Sequence, residues 1–254
     1  VTHTHESPHD QTSAHPSRLE RLNDASLYLC TGLQEFIDRK PHEFDPEQLS
    51  STRLTQFFRA CFRGGVDIIQ VRDKKVSAQT ELAALRILVS VARAEGGLAA
   101  ANDRADLAAL AGVDVFHVGQ TDVTPRQARQ VLGPDILIGR SCHTTDHVTA
   151  ALEDSDVDYY CTGPIWETPT KPGRAAVGLE LPAFAAGHDA NKPFFAIGGI
   201  TAENLGEVLA AGASRVVVVR AITEADDPQE AAATLSERLC PLHHEKHSAA
   251  TEIH

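Results

Sequence analysis

Residues 98–118 read LAAANDRADLAALAGVDVFHV. A short apolar run, 98–102, stops at the polar pair Asn102-Asp103; a helical pattern follows over 104–110 and Gly112 ends it; a second apolar run, 115–118, then begins. Such runs are too short for buried helices and read as strands, so the stretch is one strand-helix unit leading into the next strand. The phrase recurs along the chain. Further strands are predicted at 27–31, 67–72, 137–141, 158–162, 194–197 and 216–219. Helix starts are marked by Thr124-Pro125 and Asp227-Pro228, a capping side chain before a proline, and by Thr201 with Glu203 and Asn204. Helix stops fall at Gly64-Gly65, Gly96-Gly97, Gly112, Gly133 and Gly212. Eight such units in this length predict a single (β/α)8 TIM barrel, with strands apolar enough to be buried on both faces. An open doubly wound sheet is the competing arrangement, but the first strand-helix turns carry no G-x-G-x-x-G.

The chain has 254 residues, 42% hydrophobic and 23% charged, enough for one large domain. The domain is expected over 23–240, between disordered His-rich tails at 1–22 and 241–254. A formal net charge of -12 argues against a nucleic-acid partner, because binding the phosphate backbone needs clustered cations. No run is long and apolar enough to span a bilayer, and the N-terminus has no basic-then-apolar leader, so a cytoplasmic protein without a membrane partner is expected. A homo-oligomer is left open. The five Cys are scattered without Cys-x-x-Cys spacing and read as reduced thiols. Most of the thirteen His lie in the tails and carry no specific metal site in this reading.

In a barrel of this kind chemistry sits where strands end. The second strand ends in Gln70-Val71-Arg72-Asp73-Lys74, and alternation puts Gln70, Arg72 and Lys74 on one side with Val71 and Asp73 on the other. The next two strands end in Asn102-Asp103 and in a stretch reaching Asp122. Two carboxylates on adjacent strand ends suit a hard divalent cation, although Asp103 could equally cap the helix after it. The fifth strand ends in Arg140-Ser141-Cys142-His143, where adjacent Cys and His fall on opposite faces and make a poor nucleophilic pair. His117 and His143 are candidate acid/base groups or packed structural histidines.

The segment 163–171, GPIWETPTK, sets Thr168, Thr170 and Lys171 in a proline-stiffened turn suited to an anion. Glycines after the seventh strand, Gly198-Gly199, and the turn at Val219-Arg220 mark a second anion site. The segments 32–50 and 172–181 are longer than usual loops; 32–50 reads as an insertion rather than a lid.

The motifs QVRDK, NDR, HVGQTD, GRSCH, GPIWETPTK, IGGIT and VVVVRAI, in this order from residue 26 to about 239, resemble the thiamine-phosphate synthase family. The resemblance implies a transferase that joins hydroxymethylpyrimidine diphosphate to thiazole phosphate, with Mg2+ as cofactor. It implies that the stretch Gln70, Val71, Arg72, Asp73, Lys74 and Asn102 hold the pyrimidine diphosphate. Lys171 would lie on its phosphates and Ser141 near the reacting centre, with Arg72, Lys74, Ser141 and Lys171 in catalysis. Asp103 and Asp122 would hold the metal. Thr168, Thr170, Gly199, Val219 and Arg220 would bind the thiazole phosphate. The chain departs from many relatives at Trp166, Glu167 and Arg220. Alternatives are a thiazole tautomerase, which would have little use for Arg72, Lys74, Asp103 and Asp122 together, and a non-catalytic sensor on the same barrel.

Overall fold

The computed structural model describes residues 14–37, 49–168, 175–188 and 192–251, with side chains from Arg18 to Leu239 within these. Eight strands, β1 (Leu27–Thr31), β2 (Ile68–Val71), β3 (Leu98–Asn102), β4 (Val115–Val118), β5 (Leu137–Cys142), β6 (Tyr159–Thr162), β7 (Phe194–Ile197) and β8 (Val216–Val218), pair in parallel in chain order. β8 closes on β1 through Leu27↔Val216, Tyr28↔Val217 and Leu29↔Val218. The helices are α1 (Ala14–Asp24), α2 (Ser51–Arg63), α3 (Ala78–Glu95), α4 (Ala105–Ala111), α5 (Pro125–Leu132), α6 (Thr145–Glu153), α7 (Glu180–Ala186), α8 (Leu205–Ala210), α9 (Arg220–Thr223) and α10 (Pro228–Thr251). The architecture is the expected (β/α)8 barrel. Among the described residues no helix is long and apolar enough to cross a membrane.

Alternation along each strand divides the apolar residues into two shells. Tyr28, Ile68, Leu98, Val115, Leu137, Tyr159, Phe195 and Val217 point into the barrel and fill it. Their neighbours, such as Leu29, Ile69, Phe116, Ile138 and Val218, face the helices. Polar inward positions are confined to the upper layer, where Gln70, Asn102, His117 and Ser141 are each buried. A barrel so filled is a packed core whose chemistry is pushed to its mouth.

Two predicted strands start one residue late because an acid precedes each of them. Asp67 Oδ2 accepts from the backbone N–H of Ser26 (2.7 Å) and Leu27 (2.9 Å), and Asp158 Oδ2 from that of Ile138 (2.7 Å). Asp114 Oδ2 does the same for Ala99 at 3.0 Å. Each acid of a Val-Asp pair thus pins the start of the strand before it. Burial raises the Asp67 carboxyl even against these donors.

Two helix starts follow the sequence reading: Thr124 and Gln127 form a reciprocal capping box, and Asp227 accepts from Gln229 N and Glu230 N at the start of α10. Ser77, not singled out in the sequence, caps α3. The start read at Thr201 with Glu203 and Asn204 falls at the end of that stretch: Asn204 directly precedes α8, and its side chain turns back, accepting from Thr201 N at 2.8 Å and donating to Gly199 O at 2.9 Å.

Residues 14–22 of the expected tail 1–22 are instead helical, and residues 1–13 lie outside the described residues. α1 lies under the barrel, with Leu22 fully buried in the interior shell and Arg18 Nε 2.9 Å from Asp114 Oδ1. At the other end the backbone of α10 continues past 240 to Thr251. Of the 32–50 segment, a turn at Gln34–Phe36 and a bridge Ile37↔Leu49 are described, with Phe36 and Leu49 buried. Residues 38–48 lie outside the described residues.

Candidate active site

The strand ends surround a cavity of about 280 Å³. On its β2–β5 side stand Gln70, Arg72, Asn102, His117 and Ser141; on its β6–β8 side stand Gly163, Thr168, Gly198, Gly199, Val219 and Arg220. Of the residues singled out in the sequence, the structure thus gathers most around one mouth. Thr170 and Lys171 lie outside the described residues.

The cavity floor is a continuous hydrogen-bonded chain. Gln70 Nε2 donates to Asn102 Oδ1 (2.5 Å), and Tyr28 donates to Gln70 Oε1 (3.2 Å). The Tyr28 and Tyr159 hydroxyls are 3.1 Å apart, Tyr159 is 3.1 Å from His117 Nδ1, and His117 Nε2 is 2.9 Å from Ser141 Oγ. Burial pushes both phenols well above their ordinary range, so they stay neutral. The two tyrosines were not anticipated. Their inward period-2 positions, two residues before Cys30 and Cys161, were the available signal.

At the rim Lys74 Nζ lies 2.9 Å from Asp103 Oδ2. Asp103 adopts a left-handed backbone with φ 61°, and it does not cap the helix: the residue flanking α4 is Arg104, which makes no side-chain cap. Its carboxyl is hydrogen-bonded with that of Asp122, whose Oδ2 also accepts from Gly119 N at 2.7 Å. Burial would raise the Asp103 carboxyl, but the Lys74 and Asp122 hydrogen bonds and the charges of Lys74 and Arg72 hold it below its ordinary value. Among the described residues no cluster of three or more His, Cys, Asp or Glu forms a metal cage. Two carboxylates suffice for a cation that keeps waters and phosphate oxygens in its shell.

Two residues of the 70–74 stretch are corrected. Val71 is fully buried in the shell between barrel and helices, as expected for the outward phase of a strand, and does not reach the cavity. Asp73 Oδ2 instead holds the loop after β1, accepting from Leu33 N at 2.9 Å and Gln34 Nε2 at 2.8 Å. Cys142 is likewise buried in the outer shell, its thiol pushed up to about 12, while the adjacent His143 lines the cavity. That separation removes a Cys-His nucleophile.

The β6–β8 side is stitched from backbone. Ile165 N donates to Ile197 O (2.9 Å) and Trp166 N to Gly198 O (3.2 Å). A Cβ on Gly198, which has φ 113°, would sit 2.5 Å from Pro164 Cα, so only glycine allows the two loops this close. His143 Nδ1 donates to Gly163 O beneath the same loop. The result is a pocket wall of backbone groups in which glycine lets a ligand approach closely.

A family model described as thiamine monophosphate synthase matches residues 44–222. Thiamine-phosphate synthase of Streptomyces avermitilis is 49% identical over 87% of this chain and 96% of that protein. The one from Mycobacterium bovis is 52% identical over 86% of this chain and 96% of its own. Among solved structures, a thiamine phosphate pyrophosphorylase from Pyrococcus furiosus superposes with TM-score 0.72 at 23% identity, covering 88% of this chain and 98% of that one. An orotidine 5'-phosphate decarboxylase from Pyrococcus horikoshii superposes with TM-score 0.56 at 15% identity, covering 84% and 99%, a likeness of fold alone.

Proposed function

Because the chain belongs to the thiamine-phosphate synthase family and is a transferase, we propose that it joins hydroxymethylpyrimidine diphosphate to thiazole phosphate in the cytoplasm, with Mg2+ as its cofactor. The observation that carries this reading is the single mouth in which Gln70, Arg72, Asn102 and Ser141 face the Gly198-Gly199 and Val219-Arg220 turns, with the Lys74, Asp103 and Asp122 cluster at its rim. One substrate must shed a diphosphate and the other keeps a phosphate, so two anion-handling regions around one cavity match the pair. A tautomerase handling only thiazole phosphate has no use for the rim cluster.

Gln70, Asn102 and Ser141 orient the pyrimidine, while Arg72, Lys74 and Lys171 neutralise charge building on the diphosphate as its carbon–oxygen bond breaks. The electron pair of that bond leaves with the diphosphate, giving a pyrimidine-methyl cation. The thiazole nitrogen then forms the new carbon–nitrogen bond with its own lone pair, so no general base is required. Asp103 and Asp122 would hold the Mg2+, which when bound supplies further positive charge to the leaving group. Thr168, Thr170 and the backbone of Gly199, Val219 and Arg220 hold the thiazole phosphate.

Calorimetric titration separates the two halves. Arg72→Ala is expected to weaken hydroxymethylpyrimidine diphosphate binding in the presence of Mg2+ and to leave thiazole phosphate binding intact. Loss of both, or of neither, contradicts the division.

A further inference from the structure

We infer that Tyr159, together with Tyr28 and His117, is a positioning residue that fixes Ser141 as a hydrogen-bond acceptor toward the cavity and leaves Asn102 its amide N–H groups to donate there. The functional part of this inference rests on the reading above; the network itself does not.

The direction of each bond follows from the number of protons available along the chain. Tyr28 has one hydroxyl proton, and it goes to Gln70 Oε1, an acceptor that cannot donate. In the contact between the tyrosines Tyr28 must therefore accept, so the single proton of Tyr159 points to Tyr28. With that proton spent, Tyr159 can only accept from His117, which places the imidazole proton on Nδ1. Burial disfavours the imidazolium of His117, so the singly protonated ring has its lone pair on Nε2, and Ser141 Oγ, 2.9 Å away, donates to it. At the other end Gln70 Nε2 donates to Asn102 Oδ1, and the donors that Asn102 has to offer are its Nδ2 protons.

Six side chains from six strands thus share one direction of donation. Ser141 spends its hydroxyl proton on His117, so the lone pairs of its oxygen are what it offers to a ligand. An oxygen that only accepts suits an amino group or a carbon gaining positive charge, and the Asn102 amide suits a ring nitrogen. These are the complementary edges of an aminopyrimidine. Since the network lies within the packed barrel, a phenol lost at its centre frees the His117 tautomer and with it the Ser141 hydroxyl, which can then turn its proton to the cavity. The arrangement matters because misplacing a reacting group by about 1 Å costs about 10²-fold in rate.

The test is the protonation pattern of His117 in the full chain labelled with 15N-histidine, read from two-bond 1H–15N correlations at neutral pH and assigned by loss of the signal in His117→Asn. The inference expects the Nδ1–H tautomer. An Nε2–H tautomer or a doubly protonated ring overturns it, whether or not the protein makes product. Tyr159→Phe keeps the aromatic ring and removes the hydroxyl. It is expected to displace His117 from the pure Nδ1–H form and to lower kcat about 10²-fold with both KM values within about threefold. An unchanged kcat alongside a changed tautomer refutes the positioning role while leaving the synthase reading in place. Failure of the unsubstituted protein to form thiamine phosphate refutes that reading and leaves the tautomer to decide the network.

Discussion

Lys74 Nζ stands 2.9 Å from Asp103 Oδ2, joining the cation at the end of β2 to a carboxylate at the end of β3 across the rim of the cavity. The Lys74 side chain is 62% exposed, so the pair contributes only about 0–1 kcal/mol to the fold. Its value lies in the charge it places at the mouth. Lys74→Ala is expected to lower turnover about 10²-fold while thermal melting shifts by no more than about 3 °C. Steady-state kinetics and a melting curve on the same preparation check it; a large loss of stability with normal turnover goes against a role in catalysis.

Glu81 on α3 is only 7% exposed and carries a carboxyl raised to about 7. Burial is the main cause; Arg104 opposes it, and the nearby Asp103, Asp106 and Asp73 reinforce it. A folded-state value above the unfolded value of about 4.3 means that the unfolded chain releases this proton first as pH rises. Its contribution to stability is full below about 4.3 and is lost as pH climbs through about 7. Glu81→Gln is therefore expected to raise the melting temperature at pH 8 by about 2–4 °C and to leave it nearly unchanged at pH 4. A larger gain at pH 4 than at pH 8 contradicts the assignment.

Leu22 of α1 is fully buried against the residues that fill the barrel. Leu22→Ala is expected to cost about 2–5 kcal/mol in urea unfolding. A cost under about 0.5 kcal/mol, the range of ordinary surface substitutions, shows that α1 does not seal the barrel.

How legible these features were depended on how local their causes are. The β3 and β4 runs at 98–102 and 115–118 were readable to the residue, because apolar length and a glycine stop are properties of neighbours in sequence. Gln70 and Arg72 were readable as one face because a strand alternates by geometry, and the same geometry excluded Val71. What was hidden depends on residues distant in the chain. Asp67 and Asp158 read as the first residues of strands and Asp114 as a loop acid until the preceding strand is laid beside them. The link from Tyr28 to Tyr159 spans 131 positions and exists only once the barrel has closed. α1 was obscured by a polar, His-rich beginning, and its one fully buried leucine acquires meaning only beneath the open end of the barrel.

Lys171 falls in the GPIWETPTK segment whose Thr168 lines the cavity. In the proposed reaction its ammonium acts most strongly on charge that appears as the diphosphate departs. Lys171→Ala is therefore expected to lower kcat by about 10²-fold or more, with binding of hydroxymethylpyrimidine diphosphate changed far less. Equal losses in both would place Lys171 in binding alone.

The central claim is that one cavity couples departure of diphosphate to capture by the thiazole. The most direct measurement supplies the purified protein with hydroxymethylpyrimidine diphosphate, thiazole phosphate and Mg2+ and follows diphosphate and thiamine phosphate together. The account predicts equal amounts of both, abolished by a chelator and restored by added Mg2+. Release of neither product while thiazole phosphate still binds would contradict it.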